Sequence, residues 1–274
     1  MNNSKYNGIT EGVIWKQLML FFFPVLLGTF FQQLYNTVDA VIVGRFVGKE
    51  ALAAVGGSSS QILNLLIGFF TGVASGAAVI VAQYYGARDA EDSSRSVHTA
   101  MILAIASGAI MTVVGILTAP VLLRIMATPE DTMADSIVYM RWVYLAMIPG
   151  MVYNMGSAIL RAVGDSKHPL YFLIACCLIN VVLDLLFVVT FNMGVAGAAV
   201  ATALSQLLSA VMVCWFLARP KTEESVRLEI SKLRTDWKLM RRTVHIGLPA
   251  GLQAVLYSIS NMIILTAVNR FGTD

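Results

Sequence analysis

The chain of 274 residues is 57% hydrophobic and 13% charged, with a mean hydropathy of +0.74 and a formal net charge of +3. Soluble domains carry about 25% charged residues, and here long stretches carry none: residues 51–85, 191–218 and 243–269 contain no Asp, Glu, Lys or Arg. An apolar run of roughly 18 residues or more reads as a membrane-spanning helix, so the composition excludes a soluble domain and points to an integral membrane protein.

In chain order the predicted spans are about 17–43, 51–84, 96–122, 133–158, 169–190, 194–218 and 243–270. Several exceed the roughly 20 residues needed to cross a bilayer, which implies tilt or extension beyond it. Backbone groups in lipid must bond internally, so the choice is helices or a closed barrel. Barrel strands alternate over about 10 residues; these runs are longer and continuously apolar, and the fold class is an all-α polytopic membrane protein. The first run contains Pro24 and no clear small-residue cleavage site, unlike a cleavable signal.

Lys and Arg favour cytoplasmic loops. With the N-terminus inside, 14 basic residues fall on the cytoplasmic side and 5 on the outer side, so the N-terminus is expected in the cytoplasm. Basic residues at membrane ends need no nucleic-acid partner. His98, His168 and His245 sit at cytoplasmic span ends and are expected to be interfacial. Cys176, Cys177 and Cys214 lie within spans, form no CxxC pair and suggest packing rather than a metal site.

Before the seventh span comes "RPKTEESVRLEISKLRTDWKLMRR", from Arg219 to Arg242, where Val226, Ile230, Leu233, Trp237 and Met240 recur at helical spacing. This fits an amphipathic connector helix on the inner membrane face, and the plainer reading is an ordinary cytoplasmic connector. Placing Pro24 over Pro249 without gaps sets Asn36 on Asn261, Val43 on Val268, Arg45 on Arg270 and Phe46 on Phe271. Span 7 then opens a second copy of a six-helix unit, of which this chain carries only the start. Parallel repeats of this kind are a transporter architecture. The predicted organisation is a six-helix lobe over residues 1–218, a cytoplasmic linker over 219–242, and the first helix of a second lobe over 243–274.

Two acids lie deep inside apolar runs: Asp39 in span 1 and Asp184 in "CCLINVVLDLLFVV" of span 5. A charge at the bilayer centre costs about 2.5–3.5 kcal/mol on insertion scales, and such residues face a bundle interior or a water-filled cavity. Asn180 and Asp184 are spaced i, i+4 and share one helix face. At about 1.5 Å per residue, Asp39, Asp184 and Thr202 lie roughly 8, 9 and 12 Å below the outer ends of their spans. Carboxylate, amide and hydroxyl oxygens at one level suit a proton or a hard cation such as Na⁺. No basic residue lies deep in any span as a partner. The plainer reading is that each acid bonds only to a helix neighbour.

Other motifs carry less. "GRFVGKEA" at 44–51 has the wrong glycine spacing for a phosphate loop and Glu50 where Ser or Thr is needed, so no ATP site is read and the chain reads as a non-enzyme. Gly68, Gly72 and Gly76 form GxxxGxxxG in span 2, a close-packing face. Pro24 is either a hinge in span 1 or a static kink.

The stretches "PVLLGTFFQQLYNTVDAVIVGRFVGKEALAAVG", "GDSKHPL", "NVVLDLLFV" and "GVAGAAVATALSQ" recur in an order and spacing that resembles the multidrug and toxic compound extrusion (MATE) transporters along essentially the whole chain. The resemblance implies a twelve-helix protein in two six-helix lobes, of which this chain covers the first lobe and one further helix. It implies a secondary antiporter in a bacterial plasma membrane, exporting organic cations in exchange for H⁺ or Na⁺ by alternating access, with no cofactor. Asp39, Asn180, Asp184 and Thr202 match the ion-coupling positions of one bacterial branch. Tyr139 and Asn154 match substrate-cavity positions, and Tyr35 and Asn36 join them as cavity candidates. Alternatives are a lipid-linked saccharide flippase of the wider superfamily, which would want deep Arg and Lys, and a non-transporting membrane subunit.

Overall fold

The computed structural model describes residues 13–270 except 127, 221, 230 and 232, with backbone alone for Ser58 and residues 261–270. The described residues contain helices and connecting turns and no strand. In order they are α1 (Ile14–Phe46), α2 (Lys49–Gly56), α3 (Ser58–Gly86), α4 (Ala90–Ile125), α5 (Glu130–Leu145), α6 (Met147–Ala162), α7 (Lys167–Asp184), a π-helix (Leu185–Thr190), α8 (Gly194–Ala218) and α9 (Trp237–Arg270). The polytopic helical class is as expected, and the molecule is a multi-pass membrane protein.

Five helical runs are long and apolar enough to cross a bilayer, or six if the bent pair α5–α6 counts as one span, against the seven drawn from the sequence. The difference lies at the end of the chain. α9 is 34 residues long but is not among the five, and its side chains from Asn261 onward lie outside the described residues. So do Asn261, Val268 and Arg270 as side chains, and Phe271 altogether, which carry the internal repeat.

Local chemistry breaks the helices where hydropathy alone sees none. Gly48 takes φ 129°, a conformation open to glycine, and separates α1 from α2. α2 and α3 divide the apolar run 51–84 at Gly57. α5 and α6 meet at 48° about Ala146. Such a bend frees carbonyls, and the Thr112 hydroxyl of α4 donates to the Tyr144 carbonyl oxygen at 2.7 Å. Asp89 starts α4, its carboxylate accepting the Asp92 N–H at 3.0 Å. Pro24 sits inside an uninterrupted α1, and Pro249 likewise inside α9.

The core fills the space between α3, α4, α5, α6 and α8 with Val, Ile, Leu and Met side chains. Much of α1 turns Leu18, Phe22, Phe23, Leu26 and Phe30 outward, as does α4 with Ile110, Val113 and Leu117. Lipid covers such surface at no cost, which explains exposed apolar faces here.

The connector differs from the expected amphipathic helix. The described part of residues 219–236 forms turns and extended stretches, and α9 begins at Trp237 rather than at 243. Asp236 sets that start: its carboxylate accepts the Lys238 and Leu239 N–H groups at 2.9 and 3.2 Å. Of the apolar side chains expected to face the membrane, Val226 instead packs on the lobe, joined by Leu228, whereas Trp237 stays exposed. Val226 and Leu228 are buried, and the Leu228 N–H donates to the Leu217 carbonyl oxygen at 3.0 Å. Ile230, part of the expected stripe, lies outside the described residues.

Polar side chains from distant helices hold this strap down. The Tyr85 hydroxyl donates to Glu223 Oε2 at 3.0 Å. The Glu229 N–H donates to His98 Nε2 at 3.1 Å, while His98 Nδ1 lies 2.7 Å from the Ser94 carbonyl oxygen. The Asp236 N–H donates to Thr99 Oγ1 at 3.3 Å. His98 is therefore not interfacial: it is buried, with only 2% of its surface accessible.

Candidate functional site

One face of α1 carries Gln32, Tyr35, Asn36 and Asp39 at i, i+3, i+4 and i+7, and all four line a cavity of about 450 Å³ inside the lobe. α3 adds Ser60, Asn64 and Ile67, α5 adds Tyr139, α6 adds Met151, Tyr153 and Asn154, and α8 adds Thr202 and Gln206. The lining holds one carboxylate, five side-chain amides and three tyrosines, and no Lys or Arg.

Behind Asp39 lies a second polar layer that does not reach the cavity. Asn180 and Asp184 of α7 are both 0% exposed, while Asp39 is 7% exposed. The Asp39 and Asp184 carboxyl groups are close neighbours, and both stand near Tyr139. Tyr35 and Thr202 adjoin the same group. The helix spacing of Asn180 and Asp184 and the matched depth of Asp39 and Thr202 thus converge in one cluster.

The cluster is unusual for its unmet bonding capacity. Both oxygens of Asp184, Oδ1 of Asp39, both amide atoms of Asn180, Oγ1 of Thr202 and the Tyr35 hydroxyl are buried without a protein hydrogen-bond partner. Buried polar groups are ordinarily satisfied, because an unmet one costs about 1–3 kcal/mol. Two carboxylates in a low-dielectric site cannot both keep their charge without a proton or a cation between them. The donor set is carboxylate, amide and hydroxyl oxygen, which suits H⁺ or a hard monovalent cation. Among the described residues no group of three His, Cys, Asp or Glu could hold a metal ion.

Each cavity candidate (Tyr35, Asn36, Tyr139 and Asn154) lines the cavity. The amides Gln32, Asn64 and Gln206 escaped the sequence reading. A signal was available for Gln32, which shares the helix face of Asn36 and Asp39. Asn64 and Gln206 are isolated amides in apolar runs, and no spacing marks them.

Residues 24–186 match the MatE family model, and the chain belongs to that family of membrane transporters. It is 30% identical over 266 residues to the probable multidrug resistance protein YoeA of Bacillus subtilis, covering 95% of this chain and 57% of that protein. It superposes on the outward-facing conformation of a multidrug resistance MATE family transporter of the MOP superfamily with a TM-score of 0.88 at 26% identity, over 98% of this chain and 58% of that one. Against an inward-facing conformation the TM-score is 0.76 at 28% identity, over 83% of this chain and 51% of that one. The chain therefore spans somewhat more than half the length of the relatives it matches.

Proposed function

We propose that this chain supplies the ion-coupling lobe of a secondary antiporter that exports organic cations from a bacterial cell in exchange for H⁺ or Na⁺. The observation that carries the reading is the facing pair Asp39 and Asp184, buried without a basic partner, with Asp39 alone opening onto the cavity. The names of the relatives as multidrug resistance proteins agree with it.

In this mechanism Asp39 attracts a cationic drug into a cavity whose amides and tyrosines supply hydrogen bonds and ring faces. H⁺ or Na⁺ entering from outside binds between Asp39 and Asp184, with Asn180 and Thr202 contributing oxygens. That neutralises the charge the drug was using, and the drug leaves outward. Ion and drug exclude each other because both need the same carboxylate, which is the differential affinity that coupling requires. Pro24, which leaves one carbonyl of α1 without its helical N–H partner, is the hinge through which the ion-bound and drug-bound forms of α1 differ.

A flippase for an anionic lipid-linked sugar would need cations in the cavity, and the lining has none. The test is equilibrium binding of a fluorescent organic cation to the purified full-length gene product. Binding is expected to weaken as H⁺ or Na⁺ rises, and Asp39→Asn is expected to weaken dye binding itself and to leave what remains insensitive to either ion. Binding of the dye that ignores both ions would sink the antiport reading.

A further inference from the structure

In the exchange proposed above, a drug seated against Asp39 fills the cavity through which an ion would come, and Asp184 does not open onto that cavity at all. An ion that displaces the drug therefore needs a way to the pair that bypasses the cavity.

The first turns of α5 supply one. Thr132, Ser136 and Tyr139 stand at i, i+4 and i+7 and share one helix face. All three are buried, Ser136 with only 1% of its surface accessible. Of the three, only Tyr139 lines the cavity, and it stands beside both Asp39 and Asp184. Thr132 lies in the first turn, where its hydroxyl donates to the Pro129 carbonyl oxygen at 3.2 Å. Next to it Glu130 and Asp131 are exposed. Along the axis Ser136 is about 6 Å from Thr132 and about 4.5 Å from Tyr139.

Ser136 departs from an ordinary helical serine. Such hydroxyls bond back to a carbonyl one turn earlier, as those of Ser205, Ser209 and Thr118 do. The Ser136 hydroxyl is buried without a protein partner, as are those of Tyr35 and Thr202 beside the acid pair. Buried hydroxyls in this position are served by enclosed water. A gap of about 6 Å is two O–H···O bonds laid end to end, so one water bridges each step.

Charge beside this file is sparse. Among the helices packed on α5, α3 and α8 carry no Asp, Glu, Lys or Arg. α2 brings Lys49 and Glu50 at its start, α4 brings Arg124 in its last turn, and α6 brings Arg161 in its last turn. Asp135 and Arg141 of α5 itself are exposed. A metal cation would need several oxygens at once. A proton needs only successive ones.

We propose that Thr132, Ser136 and Tyr139, with waters between them, form a proton path along α5 that joins the Asp39–Asp184 pair to the surface at the start of that helix, apart from the drug cavity. The inference rests on the antiport reading above and makes H⁺ the ion that takes this way. Each oxygen accepts a proton from the one before it and passes its own to the one after it. Tyr139 gives its proton to a carboxylate, which becomes a carboxylic acid, and takes one from the water before it. Every hydroxyl ends as it began.

The test is time-resolved infrared spectroscopy of the purified full-length gene product after light-triggered proton release. The signal is the rise of the protonated-carboxyl band that Asp184→Asn removes. Ser136→Ala and Thr132→Val are each expected to slow that rise by roughly tenfold, the scale of a lost proton-transfer group, and to leave its final height unchanged. Ser136→Thr keeps the hydroxyl and should stay within about twofold of the parent. A rise at the parent rate in Ser136→Ala and Thr132→Val overturns the path. So does equal slowing by Ser136→Ala and Ser136→Thr, and so does a parent that shows no band sensitive to Asp184→Asn. A parent with the expected rates that exports no dye under a proton gradient would remove the antiport reading and leave the path standing.

Discussion

Asp39 of α1 and Asp184 of α7 face each other inside one lobe, the first at the cavity wall and the second fully enclosed behind it. This order gives the pair unequal tasks. In the proposed exchange Asp39 would meet both drug and ion, whereas Asp184, enclosed behind it, would act on the drug indirectly, by holding the ion.

The pair should cost stability, because enclosed charge without a basic partner is unfavourable. Asp184→Asn keeps the shape and removes the charge, and it should raise the thermal midpoint of the detergent-purified protein. For a chain of this size each kcal/mol is worth about 2–4 °C. A midpoint that falls by several degrees would mean the carboxylate is a structural partner, not a site held at the fold's expense.

One hydroxyl of α4 reaches the bend between α5 and α6. Thr112→Val is nearly isosteric and removes the donor to the Tyr144 carbonyl oxygen. The expected loss is about 1–2 kcal/mol, read as a lower unfolding midpoint, with Thr118→Val, whose hydroxyl bonds only within its own exposed helix turn, close to parent. Equal midpoints for the two variants would show that the bend satisfies itself.

The strap between the lobe and α9 should open when its anchors are removed. His98→Ala and Thr99→Val delete the acceptors of the Glu229 and Asp236 N–H groups. Limited proteolysis within residues 219–236 should accelerate by roughly tenfold for the double variant, since a loss of about 1.4 kcal/mol of local stability is a tenfold change in the open population. Cleavage at the parent rate would show that Val226 and Leu228 hold the strap by packing alone.

Pro24→Ala restores the missing N–H of α1 and should slow export while leaving dye affinity within about twofold, because a hinge acts on the change of state and not on the bound state. Unchanged turnover in a transport assay would make Pro24 a static feature of α1.

The spans were legible because lipid demands long apolar helices; α8 has the bounds read for it, 194–218. The two acids were legible for the same reason, as charges in the wrong solvent. The GxxxGxxxG of α3 announced close packing, although not that Gly247 and Gly251 would be its partners, since small residues do not name the face they meet. The breaks at Gly57 and Ala146 were invisible because apolar residues continue through both. The strap was misread because the helical spacing of Val226, Leu233 and Trp237 is equally served by turns that bury Val226 and Leu228 against the end of α8. Tertiary contact decided that segment, as it did for His98, whose partner Glu229 lies far along the chain.

The central claim is tested most directly by dye export from vesicles holding the full-length protein under an imposed H⁺ or Na⁺ gradient, with parent and Asp184→Asn compared at equal expression. The expected result is export driven by one of the two gradients and at least tenfold slower in the variant, even though Asp184 does not touch the cavity. Export by the variant at the parent rate under the same gradient would contradict the assignment of Asp39 and Asp184 as the coupling pair.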